Sequence, residues 1–224
     1  MDGFVLIGGT ALSLQIAHRQ SEDLDFWLPM SQMSSDRVNA IMENLKTFGC
    51  SVQLMTPAWQ ITQSRINGQD LLSLSRDYVV DGVKMTFFAR DDAPYRHFAS
   101  LERFREDHGA FELMSIDALF AMKSWLLSKR VRSRDLFDLM VLIQDYGKSV
   151  RDVLDAGTAA DASFSAEYAK EVLVGNVPLD SEDEGFDSIS LDVQITDLYA
   201  CLSSLVTEYE ISVAREIFRT TRDD

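Results

Sequence analysis

The sequence predicts an α+β protein: an N-terminal mixed sheet with flanking helices, followed by a C-terminal helical bundle. Three observations carry this reading. Over the first 90 residues, short β-branched and aromatic runs alternate with segments of helical period. From about Ser115 onward the apolar residues keep helical spacing. Charge divides the chain as well: residues 1–150 hold 16 Lys and Arg against 19 Asp and Glu, whereas residues 151–224 hold 5 against 17.

Each element has a local reason. "FVLI" (4–7) is a short buried strand, and Gly8-Gly9-Thr10 turns the chain into an apolar helix from about Ala11 to Ala17. "DLDFWL" (23–28) is the next strand. "SSDRVNAIMENLKTFG" is a helix with a Ser or Asp N-cap and Gly49 as its stop, after which "CSVQLM" returns as a strand. "WQITQSRI" and "VKMTFFA" both alternate, and they flank Asn67-Gly68 and Asp81-Gly82, two favourable hairpin pairs, so both read as strands. Helices are expected at 115–129, 133–146, 149–156, 163–174 and 191–219, with the acidic loop "PLDSEDEGFDS" before the last. The expected domains are 1–112, α/β, and 113–224, helical, although the charge break itself falls near Gly147.

Composition narrows the class. With 224 residues, 46% of them hydrophobic, the chain can bury a substantial core. Its longest apolar stretches, such as "ALFAM", fall far short of the roughly 20 residues that span a bilayer. Neither a signal peptide nor a membrane partner is expected. Cys50 and Cys201 have no zinc-like spacing, which suits reduced thiols in a cytoplasmic protein. Most of the net charge of −15 lies in the tail, which would repel a polyanion; residues 84–134, with 10 basic and 7 acidic side chains, are the least hostile surface for one.

Asp23 and Asp25 carry the clearest chemical signal. Two residues apart in a strand, they point to one side, while Leu24 and Phe26 point to the other. Paired carboxylates repel unless a cation lies between them, and a divalent metal with oxygen preference, Mg²⁺ (or Mn²⁺), meets that need. Gly8 and Gly9 let backbone approach a phosphate at a helix start, and Thr10 adds a hydroxyl. The alternative is a solvated pair on an open sheet face beside an ordinary glycine turn. Lys123 lies on the apolar stripe of its helix, either reaching to the edge or held to meet an anion. Asp135 and Asp138 follow Ser133, an expected N-cap, and either complement the helix dipole or serve a site. Arg19 and Ser21 suit a helix end and a turn. Lys129, Arg130, Arg132 and Arg134 form the densest basic cluster, which could complement a helix end, dock on the acidic tail or bind RNA phosphates.

"IGGTAL...HRQSEDLDFW" resembles the hG[GS] and Dh[DE]h signature of the DNA polymerase β-like nucleotidyltransferase superfamily, and in particular the AbiEii/AbiGii-type nucleotidyltransferase toxins. "LFAMKSWLLSKRVRSRDLFDLMVL" is similar to that family's later lysine and Arg-Asp-aromatic-x-Asp-Leu block. The two blocks cover about 50 of 224 residues, in the right order. The resemblance implies transfer of a nucleoside monophosphate from an NTP to an acceptor such as tRNA or other RNA, with a cognate antitoxin as partner. It also implies Mg²⁺ or Mn²⁺ on Asp23 and Asp25, and nucleotide contacts from Gly8, Gly9, Thr10, Lys123 and Asp138. Asp23, Asp25, Lys123 and Asp135 would be the catalytic set, Arg19 and Ser21 would brace the metal loop, and the helical domain would complete the nucleotide cleft. The basic cluster would contact RNA. Many superfamily members carry a third carboxylate on a later strand, whereas 83–88 here reads VKMTFF, leaving Asp81 as a substitute only if the chain bends. That departure keeps open a catalytically impaired nucleotide-binding or protein-binding module. Relatives often carry a helix before the first strand, which leaves open a start upstream of Met1.

Overall fold

The computed structural model describes residues 1–104, 109–186 and 191–220. Asp187 and Ser188, the end of the expected acidic loop, lie outside these. The chain divides into two compact units, Met1–Leu119 and Phe120–Asp224. The charge break near Gly147 falls within the second.

Among the described residues the first unit holds seven strands: β1 (Val5–Ile7), β2 (Asp23–Leu28), β3 (Val52–Leu54), β4 (Ser75–Val80), β5 (Val83–Ala89), β6 (Arg103–Phe104) and β7 (Glu112–Met114). They form one mixed sheet in the order β3-β4-β5-β2-β1-β7-β6. The helices described wholly within this unit are α1 (Gly8–Ile16), α2 (Ser35–Thr47), α3 (Ala58–Ile66), α4 (Leu71–Leu74) and α5 (Ala93–Ser100). β2 pairs antiparallel with β1 and parallel with β5, which pairs antiparallel with β4.

Residues directly opposite in a ladder share a face, so the register sorts the side chains. Phe26, Met85, Phe87, Arg76, Tyr78 and Val80 lie on one face and all are buried. Phe87 packs there against Phe4, Phe26 and Tyr78, with ring centroids 5.3, 5.1 and 6.2 Å away. The opposite face carries Asp23, Asp25, Lys84, Thr86, Asp77 and Val79, all half-buried or exposed. Its far end is closed by α5, whose Tyr95 packs edge-on against Trp27 and Phe88. The sheet is therefore apolar on one side and half-open, with charges, on the other.

Two expectations in this unit need correction. "WQITQSRI" is the helix α3, not a strand, and none of its residues is buried. An alternating run is forced into a strand only when one face has a core to meet; here Pro57 at the N-cap starts a helix instead. Asn67-Gly68 ends that helix rather than making a hairpin: Gly68 takes a φ of +74°, and the Gln69 N–H reaches back to the Ser64 carbonyl at 2.9 Å. The hairpin partner of "VKMTFFA" is "SRDYVV" (75–80), joined to it through Asp81-Gly82, both with positive φ.

The second unit is helical. α6 (Ile116–Leu126) spans the division and is followed by α7 (Ser133–Asp145), α8 (Val150–Ala160), α9 (Ala166–Leu173) and α10 (Ile195–Thr220). Leu136, Leu139, Leu142, Val153, Val172, Leu173, Leu198 and Leu202 are buried at helical spacing. Ser149 and Asp152 form a reciprocal capping box at α8. No helix among the described residues is long and apolar enough to cross a membrane.

Candidate active site

Ile7 lies opposite Asp25 in the β1–β2 ladder, and α1 begins at the next residue. The start of α1 is thereby delivered beside the carboxylates. Gly8 has a φ of +74°, and a Cβ built on it would lie 3.0 Å from Asp25 Oδ2. A Cβ on Gly9 would lie 2.6 Å from Arg19 Nη2 and 3.0 Å from Ser21 Oγ. Gly8 is held by its backbone conformation as well as by close packing, and at Gly9 the Arg19 and Ser21 side chains stand against the turn. Thr10 takes a different part from the expected phosphate donor. Its hydroxyl donates to the backbone carbonyl of Asp23 and lies 2.9 Å from Ser21 Oγ, so it braces β2. No side chain caps α1 and no acidic residue lies in its first turn. The first-turn backbone N–H groups and the positive end of the dipole favour an anion there, beside the Asp25 carboxylate.

The donor chemistry fits a hard divalent cation: two carboxylates on one face of a central strand, both half-buried. Among the described residues no group of three or more His, Cys, Asp or Glu converges to hold a metal. The protein would supply two carboxylates, and water and substrate phosphates would supply the rest, as Mg²⁺ requires.

In the second unit, Lys123, Asp135 and Asp138 come together. Lys123 Nζ lies 2.8 Å from Asp135 Oδ1 and 2.6 Å from Asp138 Oδ2, and the three residues are 4%, 6% and 0% exposed. Arg130 Nε donates to the other oxygen of Asp135 at 2.8 Å. Two cations thus face two anions. Burial alone would push the Lys123 pKa down, but the charges and hydrogen bonds of Asp135 and Asp138 outweigh it and raise the pKa. Burial alone would push Asp135 up; Lys123 and Arg130 outweigh it and hold the carboxyl below its ordinary value.

The rest of the basic cluster is engaged by acids of the same unit. Arg132 pairs with Asp180 at 3.3 Å and Glu182 at 2.9 Å, and Arg134 pairs with Glu184 at 2.9 Å. Lys129 pairs with Asp161 at 3.0 Å. Hydrogen bonds from Ser163, then from Lys129 and Trp125, hold the Asp161 carboxyl well below the usual range. Ser133 is not the N-cap of α7. Its N–H and hydroxyl both donate to Asp183 Oδ1, at 2.9 and 3.0 Å, so the acidic loop caps the helix from 50 residues away.

A sheet delivering a glycine turn against a carboxylate pair is the arrangement that the resemblance to nucleotidyltransferases implies. Residues 1–206 match the family described as nucleotidyl transferase AbiEii toxin, type IV toxin–antitoxin system, and the chain belongs to that family. Among solved structures, the fold is similar to a provisionally assigned nucleotidyltransferase from H. pylori. The TM-score is 0.50 at 18% identity, over 95% of this chain and 88% of that one. It is also similar to MenT4, a nucleotidyltransferase toxin from Mycobacterium tuberculosis, with a TM-score of 0.50 at 14% identity, over 90% of this chain and 73% of that one. No curated protein sequence matches significantly.

Two outcomes test these packing statements. Gly8→Ala combines a left-handed φ with a Cβ against Asp25, so a loss of about 1–2 kcal/mol is expected in denaturant melts. Lys123→Met would remove the ammonium that two buried carboxylates share. The expected loss is about 3–5 kcal/mol. Asp135 stabilises the fold fully above its unfolded pKa of about 4 and loses that contribution as pH falls through its lowered folded value. Lys123 stabilises fully below about 10.4 and loses its contribution as pH rises through its raised folded value. Melting curves should therefore show a deficit in the variant that is constant between about pH 5 and 10 and narrows in acid.

Proposed function

We infer that this toxin-family nucleotidyltransferase moves a nucleoside monophosphate from an NTP to an RNA acceptor such as tRNA, with Mg²⁺ or Mn²⁺ on Asp23 and Asp25. The observation that carries the reading is the row formed by the uncapped start of α1, the Gly8 backbone and the Asp25 carboxylate, on the half-open side of the sheet. Asp23 and Asp25 would hold the cation, which would supply charge neutralisation and polarisation to the bound triphosphate. The residues then have separate tasks: Asp23 and Asp25 hold charge at a fixed spacing, Gly8 and Gly9 admit phosphate to backbone N–H groups, and Thr10, Arg19 and Ser21 keep the turn on the strand. Positioning and electrostatics of this kind dominate phosphoryl transfer.

Lys123 has three N–H donors. Two engage Asp135 and Asp138, and these carboxylates orient the ammonium. A cognate antitoxin is the partner that the toxin family suggests.

Asp25→Asn removes a metal ligand and a like-charge repulsion together. With labelled NTP, Mg²⁺ and total RNA, it should abolish label transfer while leaving the melting temperature unchanged or raised. Wild-type transfer by this variant would reject the site.

The salt bridges of the basic cluster supply a second test. If Arg132 docks RNA phosphates, the acidic loop competes with RNA for it. Asp180→Asn with Glu182→Gln should then tighten RNA binding several-fold at low salt and steepen its salt dependence. Unchanged affinity and slope in filter binding would assign these arginines to loop docking alone.

A further inference from the structure

We propose that Thr86 and Asp77 together replace the third strand carboxylate: Thr86 accepts the hydroxyl proton of the acceptor and passes its own proton to Asp77. The inference rests on the nucleotidyl-transfer reading above. Thr86 on β5 lies directly opposite Asp25 on β2, and Asp77 on β4 lies directly opposite Thr86. Asp25, Thr86 and Asp77 therefore form one row across three strands, on the half-open face. All three are half-buried, whereas Met85, Phe87, Arg76 and Tyr78, their neighbours on the other face, are buried. The expected acid is absent from β5, but a carboxylate stands one strand further out with a hydroxyl in between.

Thr86 Oγ1 donates to Asp77 Oδ1 at 2.8 Å. A hydroxyl has one hydrogen and two lone pairs. With its hydrogen on Asp77, Thr86 presents acceptor lone pairs beside the carboxylate that would hold the metal. The pairing of β4 with β5 does not depend on this bond: six residue pairs define the ladder, and the Asp77 N–H and carbonyl have their own partners in Thr56 Oγ1 and the Met55 N–H. In the transfer step the acceptor O–H proton moves to Thr86 Oγ as the Thr86 proton moves to Asp77. The acceptor oxygen bonds to the α-phosphorus, and the α–β bridging bond breaks with its electron pair leaving on pyrophosphate. Asp77 then releases the proton to solvent.

The test compares single-turnover transfer by Asp77→Asn, Thr86→Val, Thr86→Ser and the Asp77→Asn/Thr86→Val double variant. Asparagine still accepts the Thr86 hydrogen bond but takes up no proton. Asp77→Asn and Thr86→Val should each lower the transfer rate about 100-fold. KM for NTP, and Mn²⁺ binding measured by electron paramagnetic resonance without nucleotide, should stay at wild-type values. The double variant should be no slower than the slower single one, because the two residues act as a unit, and Thr86→Ser should recover most of the rate. Wild-type transfer by Asp77→Asn, losses that multiply in the double variant, or Thr86→Ser no better than Thr86→Val would overturn the relay. If Asp77→Asn melts early, the Val and Ser variants at position 86 decide alone. Loss of transfer in Asp25→Asn beside full transfer in Asp77→Asn would reject the relay only. A wild-type chain inert toward every NTP would reject the nucleotidyl-transfer reading, and the relay with it.

Discussion

The antiparallel pairing of β1 with β2 fixes the geometry of the candidate site, because it sets Ile7 opposite Asp25 and so sets Gly8, the first residue of α1, against the Asp25 carboxylate. A slip of one residue would turn Asp23 and Asp25 toward the aromatic core around Phe87. There the carboxylates would be desolvated without a partner, at a cost of several kcal/mol. The same slip would move Phe26 into water. Register is thus specified by both faces of one six-residue strand, and the site inherits its precision from the core behind it.

The second unit handles charge in the opposite way. Where the sheet leaves two carboxylates half-open, the helices bury two and neutralise them with Lys123 and Arg130. Around this quartet, Arg132 and Arg134 bind the acidic loop 180–184. Much of the positive charge legible in the sequence is therefore compensated locally. A polyanion would have to exchange for carboxylates already in place, which makes the affinity of this surface a difference between two ionic interactions.

How much could be read in advance depended on whether a residue's neighbours were local. β2 and β5 were legible to the residue because alternation, an aromatic core and the Asp81-Gly82 turn agreed. β4 and α3 were not: Asn-Gly serves a hairpin and a helix end equally well, and the absence of a core under α3 is a tertiary fact. In the candidate site, Asp23 and Asp25 stood out by their spacing; in the second unit, Lys123 stood out by its place on an apolar stripe. Thr86 and Asp77 were invisible, since neither residue is unusual alone and only the alignment of three strands joins them to Asp25. The alternation of "SRDYVV" could have placed Asp77 on a face with Ser75 and Val79, though not beside a hydroxyl. Ser133 was misjudged for a related reason: its position suits an N-cap, but the acid that satisfies the helix end lies far along the chain.

That distant cap also orders events during synthesis. The charge quartet draws on residues 123–138, a stretch that emerges from the ribosome nearly together. Asp183 follows Ser133 by 50 residues, a delay of about 3–10 s at ordinary elongation rates. Through that interval the nascent α7 has an unfinished first turn and two exposed arginines, Arg132 and Arg134, next to the polyanionic ribosome. Only when the acidic loop arrives do Arg132, Ser133 and Arg134 gain their partners Asp180, Glu182, Asp183 and Glu184.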